Sequence, residues 1–423
     1  MSGSQNQLRF IQLAQTINSS VAQLHEILKA HNTPFPSFDE DSTFQIPKQA
    51  SSIQDVIIDA AAELHDILLD PMSLLLIHTG HTYMISIQAI TRFKIASMIP
   101  ENGHASYEEI TRRTCLSEPV LRRMLQAAMA IRIFHEPEPG MVAHTRASRL
   151  LMNAQMNDWL ATHAEEGWPS AQRMVDALEK WPRSEESNES GFSLANNSME
   201  SMYGIIAANP KRSQRFANFM KTSAASYDND VVHALEGYNW AALGTATVVD
   251  VGGSQGHIAI QLAKHFPKLD ILVQDTEGVV AGADKNVPEE LKERVRFEAH
   301  DFFQPQIVAP DVFFLRLVLH NWTDKYATRV LRALIPGLRH GSRVVIMEMC
   351  LKEKGALPLW KEKIIRRVDM MMGVLLNARE RTYGEWKALL ANADPRFMLK
   401  EVIDRQESSL AVIDVRWNDP QSN

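Results

Sequence analysis

Residues 247–275 read TVVDVGGSQGHIAIQLAKHFPKLDILVQD. A β-branched run carries an acid, Asp250, near its end, collapses into a glycine turn, and reopens as an amphipathic helix over 256–266. A second apolar run then closes on Asp275. This strand–turn–helix–strand grammar predicts a parallel crossover whose ligand sits at the strand tips. The kind of ligand depends on the turn. A nicotinamide or flavin loop needs G-x-G-x-x-G, and from Gly252 that frame demands glycine where Ser254 and His257 stand. A phosphate loop needs a lysine and a hydroxyl after its last glycine, where the chain has His257 and Ile258. What remains is D-x-G-G-x-x-G, running from Asp250 through Gly252 and Gly253 to Gly256.

A carboxylate inside a nucleoside pocket repels pyrophosphate and attracts a cation. S-adenosylmethionine meets that requirement, with an ammonium, a sulfonium and no phosphate. The next acids fall where such a molecule needs them. Asp275 closes the second strand, placed to accept both ribose hydroxyls. Asp301, in HDFF after the third strand, is placed for the adenine amino group, with Phe302 against the ring.

Downstream, strands and helices keep alternating through RVRFEAHDFF, DVFFLRLVLHNW, RVVIMEMCL and a last hairpin arm, SSLAVIDVRW. The expected fold is α/β, a Rossmann-like doubly wound sheet. His320 stands at the end of the fourth strand, on the edge that holds the other site residues. Imidazole titrates near neutrality, whereas a phenol ionises near 10 like tyrosine. His320 is therefore the candidate general base for activating a hydroxyl. A carboxylate that orients such a base improves it. Glu348, in IMEMCL, and Glu380, in NARERTYGEW, are the two candidates.

Upstream, Phe10, Leu13, Ile17, Val21, Leu24 and Leu28 recur at helical spacing, a stripe that needs either a neighbouring subunit or the chain's own body to cover it. Residues 31–49 form an extended connector, and 52–98 read as two or three buried helices. In 105–151, Ser106 with Glu109 spells a capping box, and Ser117 caps a second helix with Val120, Leu121, Met124, Leu125 and Ala128 on its apolar face. Two short strands around Pro137–Gly140 then complete a winged helix. Arg122, Arg123 and Arg132 allow a DNA-binding reading, but surrounding glutamates favour a packing module. From 153 to 240 the pattern is helical apart from a polar loop at 181–191, with Met220 and Tyr227 as possible cavity-facing residues.

The net charge is −7, with 44 basic side chains scattered along the chain, which argues against a nucleic-acid surface. Two cysteines, Cys115 and Cys350, provide neither a disulfide framework nor a zinc spacing, so no metal is expected and a reducing, cytoplasmic setting is. No run is apolar enough to cross a bilayer.

Taken together, GFSLANN (191–197), VVDVGGSQGH, LRLVLHNW and NARERT followed by EW resemble the plant-type O-methyltransferases, especially their fungal secondary-metabolism branch. The resemblance runs from about residue 6 to 417. It implies a class I methyltransferase fold, with a helical arm and connector over 1–50. A mainly α winged-helix dimerisation domain over 51–152 and a catalytic domain over 153–423 follow. It implies S-adenosylmethionine as cofactor, a homodimer, and a small aromatic or polyketide-like acceptor methylated on a phenolic or enolic hydroxyl. Carried over by position, the Gly252 turn holds the methionine portion, Asp275 the ribose and Asp301 the adenine side. His320 is the base, Glu348 and Glu380 its flanking carboxylates, and Arg316 a basic residue near the cofactor. Asn321 departs from the family's usual aspartate after the histidine, and the acceptor-lining residues, among them Trp168 and Met370 to Met372, find no match. Some fungal relatives retain the sulfonium only as an electrostatic element for cyclisation or dehydration, which is the alternative activity.

Overall fold

A long helix, Gly3–Ala30, opens the computed structural model, which describes residues 3–224, 230–405 and 408–419. Tyr227 lies outside the described residues. The chain divides into two compact units. One comprises Met1–Pro169, Pro210–Met220 and Gly355–Ile364; the other comprises Ser170–Asn209, Lys221–Lys354 and Ile365–Asn423.

In the first unit the opening helix packs on the helix Ser51–Leu68. Leu13 and Leu28 of its apolar stripe are buried, and Arg9 reaches Glu63 through two hydrogen bonds of 2.7 and 2.6 Å. Phe10 and Val21, from the same stripe, stay exposed. The chain's own body therefore covers part of the stripe and leaves part open.

The first two helices after residue 50 depart from the expected burial, whereas Tyr83–Arg92 buries Ser86, Ala89, Ile90 and Thr91. Ser51–Leu68 buries only Ala60, and Pro71–Leu76 buries nothing, while Leu68, Met72, Leu75 and Leu76 are exposed. Consecutive leucines on so short a helix point around most of its circumference, so no single neighbour can cover them all.

The winged-helix segment is built as its caps dictate. Ser106 and Glu109 form the reciprocal capping box at the head of Tyr107–Thr114. Glu118–Ala130 follows Ser117, whose hydroxyl makes no capping bond; Pro119 sets the first turn instead. Leu121, Leu125 and Ala128 enter the local core with Tyr107, Ile110 and Phe134. The expected hairpin is rearranged. Strand β2 (Met141–Ala143) pairs antiparallel with β1 (His104–Ser106), and the 131–135 arm contributes only the bridge His135↔Ala143. Arg132 and Phe134 have φ of 66° and 64°, outside the extended region, so this arm cannot continue a ladder. Arg122 stacks over Tyr107 at 4.0 Å and bonds Glu118 at 2.7 Å, which commits its guanidinium to packing.

The second unit carries the sheet. Its strands are β3 (Ala246–Val251), β4 (Leu269–Asp275), β5 (Val295–Ala299), β6 (Val312–Arg316), β7 (Arg343–Leu351), β8 (Arg381–Thr382), β9 (Phe397–Ile403) and β10 (Leu410–Trp417). The order is β5-β4-β3-β6-β7-β10-β9, with β8 alongside the end of β7. The strands from β3 to β7 are parallel; β10 runs antiparallel between β7 and β9. Val249, Phe313 and Ile346 feed one buried face, and Val248, Phe314 and Val345 feed the other. Near-continuous apolar strands of this kind belong to a sheet covered on both sides. Strand order reverses between β3 and β6, and a crevice opens at such a switch point outside the carboxyl ends. The sequence-derived site residues lie at or just beyond those ends, except Glu348, three residues before the end of β7, and Glu380, which directly precedes β8.

Candidate active site

The glycine turn leaves β3 with Gly252 at φ 73° and reaches the helix His257–His265 through Gly256 at φ 72°. The N–H groups of Gly252 and Gly253 donate to the carbonyl of Gln274 at 2.8 and 3.3 Å. A Cβ on Gly253 would lie 2.5 Å from Asp250 Oδ2 and 2.9 Å from Val273, and one on Gly256 would lie 2.6 Å from Phe297. The bend therefore takes only glycine at these points, and the main chain can approach a ligand closely.

Asp250 is 2% exposed, and its Oδ2 has no hydrogen-bond partner among the described residues. Burial pushes its pKa up to about 7; Arg316 opposes the rise and Asp275 adds to it. An orphaned buried carboxylate oxygen fits a ligand that brings its own positive charge. Asp275 caps the turn from β4: Oδ2 accepts from the Ser254 N–H at 2.9 Å and Oδ1 from the Thr276 N–H at 2.7 Å. Asp301 lies two residues beyond β5, exposed, and accepts from the Phe303 N–H at 2.9 Å. Phe302 is half-buried against Phe303 and Trp322, with ring centroids 5.0 and 6.0 Å away. Arg316 is half-buried at the tip of β6, and burial lowers its pKa against the raising influence of Asp250, Glu348 and Asp230.

His320 lies in a short 3-10 turn, Leu319–Asn321, past the end of β6. Its Nδ1 is 2.8 Å from Glu380 Oε1, leaving Nε2 as the nitrogen for an acceptor. Glu380, not Glu348, bonds the imidazole directly. Glu348 is fully buried, and its Oε1 accepts from the N–H groups of Val318 at 2.8 Å and Leu319 at 2.7 Å. Burial alone would lower the imidazole pKa, but Glu348 and Glu380 outweigh it and carry His320 up to about 9. Burial raises the Glu348 carboxyl, and His320 pulls it back down. The two turns are neighbours, because a Cβ on Gly252 would meet Val318 at 3.0 Å and Phe302 at 3.9 Å.

Three further residues support the turn: Asp369 and Arg381 escaped the sequence reading, and Asn321 entered it only as a departure from the family pattern. Asn321 Nδ2 donates to the carbonyl of Leu317, a residue at φ 55°, at 3.0 Å. An aspartate there could not donate this bond. Asp369 Oδ1 accepts from the Glu380 N–H at 2.9 Å. Arg381 is 0% exposed and donates to the carbonyls of Leu319 and Trp322.

A doubly wound sheet, a glycine bend that fits neither the dinucleotide nor the phosphate-loop spacing, and a carboxylate-backed imidazole are the features of a class I methyltransferase. Residues 180–394 match the O-methyltransferase domain, and residues 77–154 match the O-methyltransferase dimerisation domain. The chain belongs to this family of S-adenosylmethionine-dependent O-methyltransferases. It is 41% identical over 419 residues to O-methyltransferase PaMT of Phomopsis amygdali, covering 98% of each chain. Its fold is similar to that of OxaC in complex with SAH and oxaline, with TM-score 0.77, 20% identity, and coverage of 97% of this chain and 100% of that one. It is also similar to that of LepI in complex with SAM, with TM-score 0.72, 20% identity, and coverage of 96% and 100%.

Proposed function

We propose that the enzyme methylates a phenolic or enolic hydroxyl of a small secondary metabolite, with His320 as general base. The observation that carries this reading is the 2.8 Å His320–Glu380 pair beside the glycine turn. A phenol near 10 gives its proton steeply uphill to an ordinary imidazole near 6.5, but almost evenly to one near 9. The raised value trades the population of neutral base for driving force, and Glu380 stabilises the imidazolium that forms.

Bound S-adenosylmethionine supplies an electrophilic methyl group on a sulfonium. Asp250 and the Gly252–Gly256 turn would receive its methionine end, Asp275 the ribose, and Asp301 with Phe302 the adenine. Arg316 favours the ionised form of Asp250. The orphaned Asp250 oxygen and the glycine-only bend support this assignment.

The dimerisation-domain match and the exposed Leu68, Met72, Leu75 and Leu76 support a homodimer formed through the N-terminal region. The free thiols Cys115 and Cys350 support a cytoplasmic setting, and no helix among the described residues is long and apolar enough to cross a membrane.

The deciding experiment incubates the enzyme and its His320→Ala variant with S-adenosylmethionine and a panel of phenols, and counts S-adenosylhomocysteine formed. Turnover should be lost in the variant while calorimetry finds donor affinity nearly intact. Equal loss of donor affinity would assign His320 to cofactor binding instead.

A further inference from the structure

His320 sits on a turn rather than on a strand, and a turn needs its main chain held if a side chain on it is to stay in line. The donors of this turn are taken by an anion: Glu348 Oε1 accepts from Val318 and Leu319. Its acceptors are taken by donors that face them from other directions. Asn321 reaches the Leu317 carbonyl, while Arg381 Nη1 donates to Leu319 O at 3.0 Å and Nη2 to Trp322 O at 2.7 Å. These last two carbonyls bracket His320 and Asn321. The remaining edge of the guanidinium, Nε, donates to Asp324 Oδ1 at 2.8 Å, at the start of the helix Asp324–Leu334.

We propose that Arg381 is a positioning residue of the methyl-transfer reaction, fixing the imidazole of His320 by gripping the carbonyls on either side of it. The proposal rests on the reading of His320 as the base. The planar fork is what the geometry requires. Three donors leave one rigid plane toward two carbonyls and a carboxylate, whereas an ammonium on a flexible stem cannot match all three directions. Full burial makes the arrangement demanding, because each unsatisfied donor there would be costly. Arg381 also follows Glu380 directly, so one short segment both contacts the imidazole and holds its turn. A small displacement of a catalytic group costs about 10²-fold in rate even when the chemistry is untouched.

The charged groups around the imidazole are Glu348 from β7 and Glu380 and Arg381 from the segment entering β8. Behind them stand Arg316, which influences Glu348, Asp369, which holds the Glu380 main chain, and Asp324, which pairs with Arg381. Arg381 holds the His320 pKa down. Its removal should move the rising limb of kcat/KM to higher pH, a change that a merely structural contact would not produce.

The test measures Arg381→Lys, Arg381→Met and Asp324→Asn in the full chain, with S-adenosylmethionine and a phenol that the unaltered enzyme methylates. Arg381→Met should lower kcat about 10²-fold with acceptor KM and donor affinity little changed, and shift the limb upward. Arg381→Lys should restore the limb position but not the rate. Asp324→Asn should lower kcat less, with KM intact, and decides the matter if the Arg381 variants fail to fold. Unchanged kcat in the Arg381 variants, or in Asp324→Asn should they not fold, overturns the proposal; so does an unmoved limb or donor affinity falling in step with rate. If His320→Ala retains turnover, the base reading fails; if it loses turnover while these variants do not, only the role of Arg381 fails.

Discussion

Asp250 and Glu348 are both buried carboxylates at the carboxyl end of the same sheet, on β3 and β7 with β6 between them. Each keeps one buried oxygen without a partner among the described residues, Asp250 Oδ2 and Glu348 Oε2; they differ in what the protein offers the other oxygen. Glu348 uses one oxygen to satisfy two main-chain amides of the base turn, so the protein supplies its complement. Asp250 accepts no such main-chain bond among the described residues, and burial pushes it up to about 7. One end of the crevice is preorganised by the protein's own groups, and the other is left incomplete for a ligand to finish.

The largest effect should come from the preorganised end. Glu380→Ala removes the hydrogen bond that orients His320, and kcat should fall about 10²-fold or more with donor affinity preserved. Steady-state kinetics beside calorimetry checks the split. At the incomplete end, Gly253→Ala should do the reverse. Its methyl group would meet Asp250 at 2.5 Å, an overpacking of about 1–3 kcal/mol expressed mainly as lost donor affinity.

The two ends should also separate by pH. A cationic donor needs Asp250 ionised, so affinity should climb as pH rises and level off above about 7. The base must be neutral, so kcat/KM should go on rising through about 9. Titrating both quantities on one sample tests the comparison; a single shared limb near 7 would erase it. For stability the sign differs. The raised His320 pKa contributes stability that is complete below about 6.5 and lost as pH climbs through about 9. The smallest effect belongs to the other unit. Ser106→Ala breaks the capping box and should cost about 1 kcal/mol in thermal unfolding, leaving both titrations unmoved.

The glycine turn was legible because its information is local: Asp250 and the glycines sit within seven residues, 250–256, and the turn's shape excludes other residues at each point. The alternation of strands and helices was legible for the same reason. The hairpin after Glu118–Ala130 was misread because a positive φ at Arg132 and Phe134 leaves no mark on hydrophobic pattern. The partner of β2 came instead from the far side of two helices. The first two helices after residue 50 were read as buried because apolar content does not reveal whether a covering surface lies in the same chain. Arg381 was missed because its burial is decided by carbonyls about sixty residues away, which no window around NARERT contains. The division of labour between Glu348 and Glu380 was hidden similarly, since both read as acids near a base.

β10 pairs on one side with β7, the strand that carries Glu348, and on the other with β9. Until residues 410–417 have been synthesised, β7 is left with an unpaired antiparallel edge, a row of open amides and carbonyls on a strand whose side chains feed the core. The nascent enzyme therefore cannot close its sheet stepwise behind the ribosome; its last long strand must slot between two earlier ones. A chaperone that shields this edge during translation should raise the yield of active protein more than one that acts on the finished chain.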